Sequence, residues 1–312
     1  MTVDFGAHIY PEAVFPDPIA GSPIDDLIAT ELRDPDRLRR LYDDGGIDGA
    51  VLSQPYYMGA ADADATAAAN DALLDVVESD EFFYGLAAVP VSAGGDAAAA
   101  EFERSLDAGY HGGAVETKTN GVELVDDDLD PVFEVADRTG APLLVHPKLD
   151  ESLHPDVFDD TYLLNATFGR EAALSESICK VIHQGVLDRY PDLTLVFHHL
   201  GGNIASMMGR VHLQLDEGRW PGQGSVKSYE EFKTQLESRM YVDTSGFFGY
   251  EAPLRATLEE FPVSNVLFGT DYPFEPRDAA ELAACVDAVE TVAGDAADRV
   301  LAGTARELLV NV

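Results

Sequence analysis

The 312-residue chain carries 57 acidic side chains against 20 basic ones, a formal charge of −37. A surface this negative repels nucleic acid and anionic membranes at ordinary ionic strength, which excludes both as partners. The acids run the whole length of the chain (Asp25-Asp26, Asp126 to Asp128, Asp159-Asp160, Glu230-Glu231) and form no tail. Self-repulsion on this scale is tolerable where molar salt shortens the screening length to about 3 Å, so a salt-loving host is expected. No apolar run approaches the roughly 18 residues of a membrane span. No basic stretch followed by an apolar one marks a leader. Cys179 and Cys285 stand alone in unrelated contexts and read as reduced, buried small hydrophobes. A cytoplasmic protein is expected.

Taken in chain order, short apolar runs at 3–8, 49–54, 82–89, 112–117, 142–146, 194–198, 240–244 and 265–269 read as strands. They are dense in Val, Leu, Ile, Phe and Ala and do not alternate with polar residues, as expected of parallel strands covered on both faces. Between and after them, helix patterns fall at 36–43, 63–77, 97–108, 130–139, 174–190, 204–215, 230–237, 252–261 and 279–292. Caps and breakers sit at their ends. Strand then helix, eight times over, predicts an α/β fold, a (β/α)8 TIM barrel forming a single domain over residues 1–312. An open doubly wound sheet would need a Gly-rich phosphate loop after the first strand, and none is present. The connections at 11–35 and 147–173 are too long to be plain turns. Both leave the C-terminal ends of strands, where a barrel keeps its chemistry, and the second carries Lys148 and Arg170.

The first strand poses a question. Alternation along Asp4-Phe5-Gly6-Ala7-His8 puts Asp4, Gly6 and His8 on one face, the pattern of a metal-binding Asp-x-His-x-His strand with glycine at its middle inward position. Other polar residues gather at strand ends: Glu116 and Lys118, His146, His198 and His199, Asp243 and Asp271. Singly each has a plain explanation. A rim histidine is commonly just hydrogen-bonded, Asp243 and Asp271 would cap the turns that follow, and Glu116 with Lys118 would form a surface pair. Alternation also lets only one of His198 and His199 face the barrel mouth. Jointly, two imidazoles and a carboxylate at one mouth make a divalent metal site suited to zinc, manganese or iron. A further imidazole beside them would serve as acid or base near neutral pH.

Four stretches in order, HIYPE (8–12), APLLVHP (141–147), GVLDRYPDLTLVFHHLGGNIASMMGR (185–210) and NVLFGTDYPF (265–274), resemble the amidohydrolase-related metal-dependent barrels typified by aminocarboxymuconate-semialdehyde decarboxylase. The γ-resorcylate and 5-carboxyvanillate decarboxylases are relatives within that group. The resemblance implies metal ligands at His8, His146 and Asp271, with zinc expected and manganese or iron as alternatives. It implies a catalytic His199 acting with Asp271, and an Arg210 that meets a substrate carboxylate or else plays a structural part at its helix. Lys148 and Arg170 are further candidates for that carboxylate, and His198 receives no role. The family has His or Glu where this chain has Gly6. Three accounts remain open at this stage: a metal held by the remaining ligands and water, a substitute ligand from Asp4, Glu12 or Glu116, or loss of the metal. The implied activity is decarboxylation of a small carboxylated aromatic or unsaturated substrate by a homodimer. Hydrolysis of an amide or lactone, with or without metal, is the alternative, and a non-catalytic small-molecule-binding barrel the third.

Overall fold

The computed structural model describes residues 1–147, 154, 157–158, 161–216, 218–220, 224 and 226–310. Eight strands form the frame, the third in two pieces: β1 Val3–His8, β2 Gly49–Ser53, β3 Phe83–Gly85 with Ala87–Ala88, β4 Gly113–Glu116, β5 Leu143–His146, β6 Leu195–Phe197, β7 Met240–Asp243 and β8 Val266–Leu267. Each pairs in parallel with the next. The break in β3 at Leu86 divides the ladder into two sheets. Backbone bonds from Phe5 to Phe268 (2.8 Å) and from His8 to Tyr272 (2.9 Å) bring β1 against the chain leaving β8 and close the barrel. The structure is the (β/α)8 barrel expected from the strand–helix alternation.

Side-chain alternation sorts the core into two layers. Val51, Ala114, Leu144, Val196 and Leu267 fill the barrel interior with Phe5. Val115, Val145, Phe197 and Val242 face outward onto the helices. Carried up to the C-terminal ends, the inward parity delivers Glu116, His146, His198 and Asp243 to the mouth. The helix expected at 174–190 is two helices, Arg170–His183 and Val186–Arg189, parted at Gly185, whose φ of +71° a helix cannot accommodate. The long connection after β1 contains the helix Pro23–Arg33, capped when Ser22 accepts from the Asp25 N–H. Its start lies in a Pro- and Gly-rich stretch that reads as loop. Of the second long connection, residues 148–153, 155–156 and 159–160 lie outside the described residues. No helix among the described residues is long and apolar enough to cross a membrane. Cys179 is half-buried and Cys285 buried, both free.

Candidate metal centre and active site

His8 ends β1, His146 ends β5, His198 follows β6 and Asp271 follows β8. One ligand atom from each of the four can be chosen so that all lie within 4.8 Å of one another, and all four residues are buried. Their outward-facing atoms are tied down. His146 Nδ1 donates to the Pro147 carbonyl at 2.7 Å. His198 Nδ1 donates to Asp243 Oδ2 at 2.5 Å and lies 3.0 Å from the Ser245 hydroxyl. His8 Nδ1 lies 3.0 Å from the Ser53 hydroxyl, and its Nε2 donates to Asp271 Oδ1 at 2.9 Å. The Nε2 atoms of His146 and His198 are buried with no hydrogen-bond partner. Buried polar atoms are ordinarily satisfied, and imidazoles anchored through Nδ1 with Nε2 converging on a carboxylate are how proteins prepare a metal ligand set. The residues present fit a divalent cation.

The electrostatics follow from crowding three imidazoles around one carboxylate. Burial raises the Asp271 carboxyl, but the imidazoles of His198, His199 and His8 beside it outweigh burial and hold the group well below the usual carboxylate range. Burial, together with neighbouring His198 and His8, pushes His146 well down. Burial also pulls His198 down, but Asp243 prevails and leaves it at about 9. The same contest at His199 is won by Glu171 and Asp271, which raise it well above the ordinary histidine value. Glu275, desolvated and facing Asp271, is pushed up to about 7.

His199 stands beside the cluster. Its Nδ1 meets Glu171 Oε1 at 2.9 Å. Its Nε2 lies 3.6 Å from Asp271 Oδ2 and has no hydrogen-bond partner. The expectation that only one of His198 and His199 faces the mouth is corrected. The strand ends at Phe197 and His199 takes a φ of +52°, so alternation no longer applies and the two rings stack with centroids 4.8 Å apart. Gly246, with φ +83°, leaves room against the His199 ring that a side chain would occupy.

Asp4 is likewise corrected. Between Asp4 and Ala7 the register with β2 slips, three steps on β1 matching two on β2 from Ala50 to Leu52, the count of a β-bulge. Phe5 then packs in the barrel interior while Asp4 accepts hydrogen bonds from the Gly6 and Thr270 N–H groups and from the Tyr42 (2.6 Å) and Thr270 (2.5 Å) hydroxyls. It braces β1 against β8 and cannot also serve as a ligand. Glu12 is exposed and pairs with Arg33. Glu116 is buried, takes the Thr119 hydroxyl, and is no part of the cluster. Asp243 backs His198 in addition to accepting from Ser245.

Arg170, half-buried, opens the helix that carries Glu171. Arg210 is exposed on the helix Ile204–Leu215, and among the described residues no hydrogen bond or ion pair links it to the cluster. Lys148 lies outside the described residues. Sequence reasoning missed Glu171, which sits where a long loop becomes helix and carries no local signal. It also missed His198, for which the doubled histidine after β6 and the glycine at position 6 were the available clues.

A family model described as Amidohydrolase matches residues 3–310. The chain belongs to this amidohydrolase family. Among curated relatives, a γ-resorcylate decarboxylase of a Polaromonas species is 29% identical over 266 residues, covering 78% of each chain. The decarboxylase orsB of Emericella nidulans is 26% identical, covering 75% of this chain and 72% of its own. A 2-amino-3-carboxymuconate-6-semialdehyde decarboxylase of Dictyostelium discoideum is 27% identical, covering 77% and 65%. Solved structures agree on the fold. A dihydroxybenzoic acid decarboxylase of Polaromonas with bound manganese and 2-nitroresorcinol superposes with a TM-score of 0.84 at 24% identity, over 99% of this amidohydrolase-family chain and 96% of the other. A manganese-bound 5-carboxyvanillate decarboxylase of Novosphingobium aromaticivorans gives 0.85 at 20%, over 99% and 97%.

Proposed function

We propose that this enzyme is a metal-dependent carboxy-lyase that removes CO2 from a small aromatic carboxylate. The observation that carries the reading is the convergence on Asp271 of the buried His146 and His198 Nε2 atoms, which have no hydrogen-bond partner, with the His199 imidazole 3.6 Å from the same carboxylate. The decarboxylase relatives support the same chemistry. His8, His146 and Asp271 are assigned as ligands. Two imidazoles and a carboxylate suit zinc, manganese or iron(II) alike. Zinc is the first candidate on donor type, while the two structural neighbours described above hold manganese. A cation held by these residues would supply positive charge that offsets the negative charge of the substrate carboxylate.

The remaining steps belong to side chains. Glu171 and Asp271 favour the protonated form of His199, and His199 is assigned as the acid. Its Nε2 hands a proton to the ring carbon bearing the carboxylate, the new C–H bond drawing its electron pair from the ring. The bond from that carbon to the carboxylate then breaks, its electron pair restores the ring, and CO2 departs. His199 is reprotonated from solvent. Arg170, Lys148 and Arg210 are assigned to the substrate carboxylate or the approach to it, where cations on so acidic a chain would steer an anion.

The proposal extends to a single catalytic domain over 1–312, a cytoplasmic homodimer and a high-salt host, checked by sedimentation and by melting in 0.1 M against 2 M KCl, where the higher salt is expected to stabilise. The activity test presents metal-loaded protein in high salt with hydroxybenzoates and muconate-type acids, and with lactones and amides. Loss of CO2 from a carboxylated substrate is expected. Hydrolysis without any decarboxylation would replace the reading with a hydrolase, and binding without turnover would replace it with a non-catalytic barrel.

A further inference from the structure

We propose that His198 has taken over the metal-ligand place that Gly6 leaves vacant, so that one protein donor has moved from β1 to the end of β6. The inference rests on the reading of the cluster as a metal site and adds which side chain completes it. A Cβ built on Gly6 would stand 2.5 Å from His198 Cε1, 3.3 Å from its Nδ1 and 3.5 Å from Asp243 Oδ2. No real Cβ approaches a ring carbon that closely. A side chain at position 6 and the His198 ring compete for one volume. Gly6 lies within a strand and is not among the positive-φ glycines, so its backbone does not call for glycine; the ring does.

The exchange is supported on the far side of the ring. His198 Nδ1 is anchored by Asp243, which leaves Nε2 as the ring nitrogen facing the cluster. That Nε2 is buried, without a partner, and shares the cluster with His8, His146 and Asp271. Asp243 in turn needs Gly269, where a Cβ would come within 2.9 Å of its Cγ. Gly6, His198, Asp243 and Gly269 therefore form one interlocking set. The other candidates for the vacancy are occupied elsewhere: Asp4 takes donors from Gly6, Tyr42 and Thr270, Glu12 is exposed with Arg33, and Glu116 takes the Thr119 hydroxyl outside the cluster.

The test is Mn2+ titration of chelator-treated full-length protein by calorimetry, with melting of the metal-free protein as the fold control. His198→Asn keeps a donor for Asp243 but removes Nε2. It is expected to weaken Mn2+ binding about 100-fold while the metal-free protein stays folded. Gly6→Ala, which pushes the ring aside without altering it, is expected to weaken binding comparably and decides the matter if His198→Asn does not fold. Wild-type affinity in either folded variant would overturn the exchange and leave His198 a structural partner of Asp243, with the metal-dependent reading intact. Absence of uptake of Mn2+ and of Zn2+ alike by the wild type would overturn both.

Discussion

The ends of β1 and β6 reach the same mouth by different rules. On β1 the polar residues look interchangeable by alternation, yet a bulge sends Asp4 outward to Tyr42 and Thr270 and leaves His8 inward. On β6 alternation forbids two neighbouring rings from sharing a side, yet the strand stops at Phe197 and a left-handed residue brings His199 around beside His198. Strand periodicity is a property of a continuing ladder, and active-site residues sit where the ladder stops. One end thus loses a carboxylate to architecture, and the other presents two imidazoles, one anchored by Asp243 and one by Glu171.

The largest effect should come from the β6 end. His199→Ala is expected to lower kcat/KM about 1,000-fold, the range for losing an acid–base group, with metal content unchanged. Metal loss along with activity would mean that His199 is a ligand and that the two rings share a role. On β1, Asp4→Ala strands donors from three residues in the interior. It should cost about 3 kcal/mol in urea unfolding. A neutral result would show that Asp4 does not brace the barrel.

Glu275 sharpens the account of the β6 side, since its N–H donors come from Gly246 and Phe248 and its charge faces Asp271. Its folded carboxyl is raised from 4.5 to about 7, so the folded protein keeps a proton that the unfolded chain gives up. This destabilisation is absent below pH 4.5, grows through the window and is complete above about 7. Glu275→Gln should therefore stabilise the chelated protein at pH 8 by on the order of 1–2 kcal/mol, after allowance for partial exposure, and leave it unchanged at pH 4.5. The smallest effect is expected for Glu171→Gln. It removes the charge that keeps His199 protonated, so the alkaline limb of the kcat profile should move to lower pH; an unmoved limb would assign the proton to another group.

The barrel was legible because buried parallel strands and capped helices repeat in simple order. The meeting of His8, His146, His199 and Asp271 at one mouth was legible because strand ends and family-like motifs coincide there. His198 was not, because its proposed part depends on an empty volume at Gly6 that only packing reveals. Glu171 was not, because it comes to His199 from a helix start 28 residues away in sequence. The helix Pro23–Arg33 was hidden by the prolines and glycine around its cap.

Metal content tests the central claim most directly. Plasma mass spectrometry on untagged protein purified in high-salt buffer without added metal is expected to find about one zinc, manganese or iron per chain, removed by chelation together with decarboxylation. Protein that carries no metal and takes up none on titration would contradict it.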